Sequence, residues 1–172
     1  VHTPADVGVS ILVVLVLIFV LHPIVEYVTG SPKRMRIYLV IVTLLAGVYL
    51  AFVLLYLFPA DVDAENLTEG IKNAYKILGC VLGLFVAYEL DERFVHFETK
   101  GTWWVQILKL VPGFVILLGI KSGLKQPLYA LFDGNYLADA IRYFIITAFA
   151  AGIWPMTFRF WNTLDNKSKK HS

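Results

Sequence analysis

Long apolar stretches dominate the hydrophobic pattern of this chain. Five of them, each about twenty residues long, cover residues 7–28, 38–58, 74–90, 103–120 and 138–160. An α-helix rises about 1.5 Å per residue, so about twenty apolar residues cross the roughly 30 Å hydrocarbon layer of a bilayer. None of the stretches alternates polar and apolar residues with period two, which argues against a β-barrel. The pattern therefore predicts an all-α, polytopic transmembrane helical bundle of about five spans.

The composition agrees with a membrane protein and excludes several other classes. Of 172 residues, 58% are hydrophobic and 16% charged, whereas a soluble domain carries about 25% charged residues. The single cysteine, Cys80, allows neither an intrachain disulfide nor a cysteine-based zinc site. The net charge of +2 is too small to indicate a nucleic-acid partner. We therefore expect membrane lipids as partners, no nucleic acid, no metal and no cofactor.

The basic residues indicate how the chain crosses the membrane, because they collect on the cytoplasmic side. With the N-terminus outside, nine of them fall on the inner side and five on the outer side, and Lys109 lies within a span. The inner nine are Lys33, Arg34, Arg36, Arg93, Lys100, Arg159, Lys167, Lys169 and Lys170, and the outer five are Lys72, Lys76, Lys121, Lys125 and Arg142. This distribution predicts an N-out/C-in orientation.

A few polar side chains lie in or near the apolar stretches. Lys109 is expected either to reach the inner interface or to pair with Glu89 or Glu98, in preference to lining a substrate path. His22 and Glu26, four residues apart, predict a local pair. Arg142 and Asp139 are interpreted as interface residues, with recognition of an outer-leaflet phosphate as the alternative.

Small residues predict where two helices approach closely. Gly79 and Gly83 form a GxxxG pattern in the third stretch. Ordinary contact between neighbouring helices is the favoured interpretation, and a homo-oligomer formed through this face is the alternative.

The first seven residues, Val1-His2-Thr3-Pro4-Ala5-Asp6-Val7, carry the strongest chemical pattern. A histidine four residues before an aspartate can form a carboxylate–imidazole pair, which leaves one ring nitrogen free to attack or to move a proton. The same residues also match a helix start, with Thr3 as N-cap, Pro4 at the first helical position and an acid in the first turn. The two interpretations are compatible.

These residues resemble the end of the third signature motif of the type-2 phosphatidic acid phosphatase family. That motif reads S-R-x-x-x-x-x-H-x-x-x-D, and bacterial members often read G-V-H-T-P-A-D-V. A second stretch, from Gly79 to Phe97 and on to Lys109, resembles a glycine-rich span followed by an E-x-R-x-V-x-F-like segment in bacterial members, with Asp91 in place of the glutamate.

The resemblance implies a catalytic pair. His2 would be the nucleophile that takes the phosphoryl group as phosphohistidine, and Asp6 would orient it, so that a phosphomonoester or diphosphate of a lipid is hydrolysed. The family's K-x-x-x-x-x-x-R-P and P-S-G-H motifs do not occur in the sequence, and the Ser-Arg of the third motif would precede Val1. We therefore expect a C-terminal portion that needs the N-terminal remainder of the phosphatase for activity and is inactive alone.

The resemblance also implies a domain organisation. Residues 1–28 would complete the catalytic core, residues 29–162 would form a four-span C-terminal membrane extension, and residues 163–172 would be a disordered basic tail. The expected location is a bacterial inner membrane, with the active site facing outward. The alternative is a non-catalytic membrane helical module, such as a scaffold, an assembly partner or part of a transporter.

Overall fold

The structure, a computed structural model, describes residues 4–59, 61–96 and 101–163, and only the backbone of residues 4–6. Its helices are α1 (Pro4–Thr29), α2 (Pro32–Leu55), α3 (Ala64–Leu90), α4 (Trp103–Gly123), α5 (Lys125–Leu131), α6 (Leu137–Ala148) and α7 (Trp154–Met156). Two π-helical turns, Asp91–Val95 and Phe149–Ile153, continue α3 and α6, and residues 158–163 are also helical.

Among the described residues, five helical segments are long and apolar enough to cross a membrane: Val7–Thr29, Pro32–Leu55, Ala64–Val95, Trp103–Leu131 and Leu137–Thr163. No strand occurs in the described ranges. The all-α, five-span prediction is therefore confirmed. The N-out/C-in orientation stays a prediction.

The third span begins ten residues earlier than its apolar stretch predicted. Asp63 caps α3: its Oδ1 accepts hydrogen bonds from the backbone N–H groups of Glu65 (2.8 Å) and Asn66 (3.0 Å). Such a cap satisfies donors that the first turn of a helix leaves without partners. The acids Glu65 and Glu69, which the sequence placed in a connection, consequently lie on α3.

The prolines inside the last two spans have different effects. α4 runs without interruption through Pro112. The π-helical turn Phe149–Ile153 ends two residues before Pro155 and contains Ala151, the residue four before this proline. Proline has no N–H for the carbonyl four residues earlier, and a widened turn accommodates that loss.

The chain divides into two compact units, Val1–Val40 and Ile41–Ser172. In the first unit, the Arg34 guanidinium lies 4.3 Å from the centre of the Tyr27 ring. His22 Nε2 lies 3.4 Å from Glu26 Oε1 on the exposed surface of α1, which confirms the predicted local pair.

The core of the second unit is the contact between α3 and α6, where small residues let the backbones approach. A Cβ atom at Gly79 would overlap the carbonyl of Ala140, and one at Gly83 would lie 2.6 Å from the carbonyl oxygen of Phe144. Gly152 meets α3 in the same way, because its Cβ would lie 3.2 Å from Cα of Ala87. The predicted helix contact at Gly79 and Gly83 is thus confirmed, with α6 as the partner of α3.

Candidate functional site

The predicted catalytic pair is only partly within the described chain. His2 lies outside the described residues. Asp6 lies in the first turn of α1, which begins at Pro4 as the sequence predicted, but its side chain is not described. An acid in the first turn of a helix is favoured by the helix dipole. The pairing of His2 with Asp6 therefore stays a prediction.

A buried polar network joins α5 to α6. The Tyr129 hydroxyl donates a hydrogen bond to Asp139 Oδ2 (2.5 Å), and Arg142 Nη2 donates one to Asp139 Oδ1 (2.5 Å). Asp139 is 1% exposed and Arg142 is 6% exposed. Both carboxylate oxygens are thus bonded, and the buried negative charge is matched by a guanidinium, as a buried charge requires.

This network changes the interpretation of Arg142. The sequence suggested a residue at the membrane interface, or one that faces a lipid phosphate. The structure instead directs the guanidinium into the protein, because the one-turn spacing of Asp139 and Arg142 puts both on the α6 face that packs inward. Within the described part of the chain, Arg142 Nε is buried and has no hydrogen-bond partner. The burial of Arg142 therefore contradicts direct recognition of an outer-leaflet phosphate, and its position at the membrane interface stays a prediction.

Beside this network, three lysines interact electrostatically with the carboxylate of Glu69. Glu69 of α3 interacts electrostatically with Lys72 and Lys76 of α3 and with Lys125 of α5. Lys72 Nζ donates a hydrogen bond to Glu69 Oε1 (2.7 Å) and lies 5.7 Å from the centre of the Tyr136 ring. We call Lys72, Lys76 and Lys125 the lysine cluster. Together with Glu69, the lysine cluster carries a net charge of +2.

A second buried cation lies between α4 and the last span. Lys109 is 3% exposed, and its Nζ donates a hydrogen bond to Asn162 Oδ1 (2.7 Å) and lies 5.0 Å from the centre of the Phe158 ring. The ammonium group is thus buried rather than in water, and its partner Asn162 lies near the end of the last span. That this side chain reaches the inner interface stays a prediction. Glu89, one of its two predicted partners, binds Arg93, and Glu98, the other, lies outside the described residues.

The same helix pair is held together by Trp154. Its indole Nε1 donates a hydrogen bond to the carbonyl oxygen of Lys109 (2.8 Å), and its ring covers Gly113 so closely that a Cβ there would overlap the indole. Beside this contact lies an open cleft of about 290 Å³. Its lining is polar at Gln106 and Lys109 and mostly apolar from Leu110 to Leu117.

The π-helical turn Asp91–Val95 closes the other end of α3. Arg159 Nη2 donates a hydrogen bond to the carbonyl oxygen of Val95 (2.6 Å), so the last span is fixed to this turn. Glu89 at the end of α3 and Arg93 of this turn form an ion pair at 3.0 Å. Part of the segment that resembles bacterial phosphatases therefore contributes to helix packing.

Metal ligation finds no support in the described ranges. Within them, no group of three or more histidine, cysteine, aspartate or glutamate side chains is arranged to hold a metal ion.

Sequence reasoning missed two residues of these clusters, Tyr129 and Asn162. Tyr129 follows the fourth apolar stretch, and its partner Asp139 follows ten residues later across a turn. Asn162 is separated from Lys109 by 53 residues. The available signal was the pair of opposite charges at Asp139 and Arg142 inside an apolar helix, since such charges require partners.

The helices that carry both buried clusters match a known family. The family model described as PAP2 superfamily phosphatase, transmembrane extension, matches residues 75–166, which is more than half of the chain. The chain belongs to this family. No curated protein and no solved structure matches it.

The region that matches the PAP2 transmembrane extension runs from Tyr75 of α3 to beyond residue 163. It contains the contact between α3 and α6, the Tyr129–Asp139–Arg142 network and Lys109 with Asn162. The match agrees with the resemblance to a C-terminal membrane part of a PAP2 phosphatase.

Proposed function

We propose that this chain is the C-terminal part of an integral membrane phosphatase that hydrolyses a phosphomonoester or diphosphate of a lipid. The observation that supports the proposal is the presence of two features of one superfamily in one chain. The string Val1-His2-Thr3-Pro4-Ala5-Asp6-Val7 resembles the end of the third phosphatase motif, and the PAP2 transmembrane extension follows at residues 75–166.

In the proposed mechanism, a ring nitrogen of His2 attacks the phosphorus atom of the lipid phosphate. A P–N bond forms, the P–O bond to the lipid breaks, and the leaving oxygen takes a proton from the general-acid histidine that the family's P-S-G-H motif supplies in the N-terminal remainder. Asp6 accepts a hydrogen bond from the other ring nitrogen, fixes the tautomer and stabilises the imidazolium. Water then attacks the phosphohistidine and releases inorganic phosphate together with the imidazole.

The proposal includes a division of labour within the phosphatase. Phosphoryl transfer depends on cations that position the phosphate and neutralise its charge. In the family the first two motifs supply these groups, so we expect this chain alone to be inactive. We place the protein in a bacterial inner membrane with the N-terminus of α1 outside, so that His2 meets lipid phosphates at the outer surface.

The test replaces His2 in the complete phosphatase and measures phosphate release from phosphatidic acid and from an isoprenyl diphosphate in detergent micelles. His2→Ala should lower kcat by a factor of about a thousand or more, as loss of a nucleophile does. His22→Ala is the matched control: the same substitution on the same helix removes an exposed pair with Glu26 and should leave kcat within about twofold of wild type.

A second measurement separates a nucleophile from a structural residue. With ³²P-labelled phosphatidic acid and acid-free quenching, wild type should retain acid-labile label on the protein, and the His2→Ala variant should retain none. Wild-type turnover by the His2→Ala variant would remove the assignment.

The alternative function is a non-catalytic membrane module. The close contact of α3 and α6 at Gly79 and Gly83 favours it, since this contact gives the extension a packed core of its own. Such a module keeps its role in the His2→Ala variant and loses it when Gly83 is replaced by leucine. A phosphatase, in contrast, loses its activity in the His2→Ala variant.

A further inference from the structure

We propose that the lysine cluster binds the phosphate group of an anionic phospholipid at the membrane surface. The site lies where the N-terminal half of α3, the start of α5 and the N-terminal end of α6 come together. It does not include His2, and it requires neither catalysis by this chain nor a particular orientation in the membrane.

The charges of the described groups leave room for an anion. Glu69 interacts electrostatically with all three lysines, and its Oε1 already accepts a hydrogen bond from Lys72. Lys76 Nζ donates to the neutral amide oxygen of Asn73 (3.0 Å). Asp139, which also interacts electrostatically with Lys72, has both oxygens occupied by Tyr129 and Arg142. The net charge of +2 at the cluster is complementary to a phosphate group.

The position of the lysines along the chain places them at the level of the lipid headgroups. Lys72 precedes the third apolar stretch, which starts at residue 74, and Lys76 lies in its first turn. Lys125 follows the fourth apolar stretch, which ends at residue 120. The third span starts at the membrane surface where the fourth one ends, so all three lysines lie at the same surface.

The length of the third span supports this placement. Ala64–Val95 has 32 residues, which is about 48 Å of helix and more than the roughly 30 Å of hydrocarbon. The first turns of α3 therefore extend into the headgroup layer. Lysine stems can lie along apolar surface there while their ammonium groups reach the phosphates, and basic pockets between transmembrane helices bind such headgroups.

Two aromatic side chains complete the site. Tyr136 lies beside Lys72, and its ring centre is 6.5 Å from that of Tyr75. Tyrosine is favoured at the membrane interface because its ring is apolar and its hydroxyl polar. The two rings border the cluster on the side of α6.

The experiment measures how tightly the full chain, purified in detergent, retains phosphatidic acid against phosphatidylcholine, with bound lipid quantified by mass spectrometry. The triple variant Lys72→Gln, Lys76→Gln and Lys125→Gln should bind phosphatidic acid on the order of 100-fold more weakly than wild type. The control Arg93→Gln removes an exposed positive charge just beyond the opposite end of α3 and should bind as wild type does.

Two further arms keep the test decisive. Glu69→Gln removes the competing carboxylate, so it should bind phosphatidic acid several-fold more tightly than wild type, a gain that misfolding cannot imitate. Inorganic phosphate at millimolar concentration should not displace the lipid. Equal retention of phosphatidic acid by wild type and the triple variant, equal retention of the two lipids by wild type, weaker binding by Glu69→Gln, or displacement by inorganic phosphate would each overturn the proposal.

Discussion

Removing one charge of the buried pair between Asp139 and Arg142 should destabilise the bundle strongly. In the Asp139→Leu variant, the Arg142 guanidinium loses its carboxylate partner but stays buried, since the Arg142 side chain is 8% exposed. It also removes the acceptor of the Tyr129 hydroxyl. Breaking a buried ion pair by deleting one partner costs about 3–5 kcal/mol, because the remaining charge is uncompensated.

The same reasoning predicts that removing both charges costs much less than removing one. Arg142→Met by itself leaves the Asp139 carboxylate buried with only the Tyr129 hydroxyl, and we expect a similar loss. The double variant has no buried charge, and apolar side chains of similar size can replace such pairs at little cost or even with a gain. Loss of the Tyr129 hydrogen bond costs about 1 kcal/mol. The double variant should therefore lie within about 2 kcal/mol of wild type.

The assay is a double-mutant cycle on the free energy of unfolding, measured by circular dichroism as SDS is titrated into mixed micelles. Arg93→Met is the matched control, because Arg93 forms an ion pair with Glu89 but its side chain is 65% exposed. Exposed pairs contribute about 1 kcal/mol or less. If Asp139→Leu and Arg142→Met each cost no more than Arg93→Met and their effects add, the buried-pair argument is wrong.

Two other predictions concern helix packing. Gly83→Ala should lower the free energy of unfolding by about 1–3 kcal/mol, because the new methyl group would overlap the carbonyl of Phe144. Gly47→Ala is the control: its Cβ position has open space around it, so this variant should be neutral or stabilised by up to about 1 kcal/mol. The same SDS titration checks both, and equal effects at the two glycines would contradict the packing argument. Trp154→Phe should cost about 1 kcal/mol, since it keeps a ring over α4 but loses the hydrogen bond to the carbonyl of Lys109. An unchanged unfolding curve for Trp154→Phe would show that this hydrogen bond contributes nothing to stability.

Properties that depend on local sequence were predictable. The number of spans follows from the length of each apolar stretch, since a helix satisfies its own backbone hydrogen bonds in lipid. Pro4 at the start of α1 and the pair of His22 with Glu26 are interactions within one or two turns of a helix. Gly79 and Gly83 predicted a close helix contact because two glycines four residues apart let the backbone of a neighbouring helix approach.

The tertiary structure decided which residues meet across the chain. Nothing near Gly79 indicates that its partner is Ala140, and nothing near Lys109 indicates Asn162, 53 residues later. The early start of α3 depends on one capping side chain, Asp63, within a polar segment that hydropathy assigns to a connection. The sequence alone thus determined the class, the five spans and a resemblance to a lipid phosphatase. The burial of Arg142 and the interaction of Lys125 of α5 with Glu69 of α3 required the packing of separate helices, because burial and contacts between helices depend on residues that are distant in sequence.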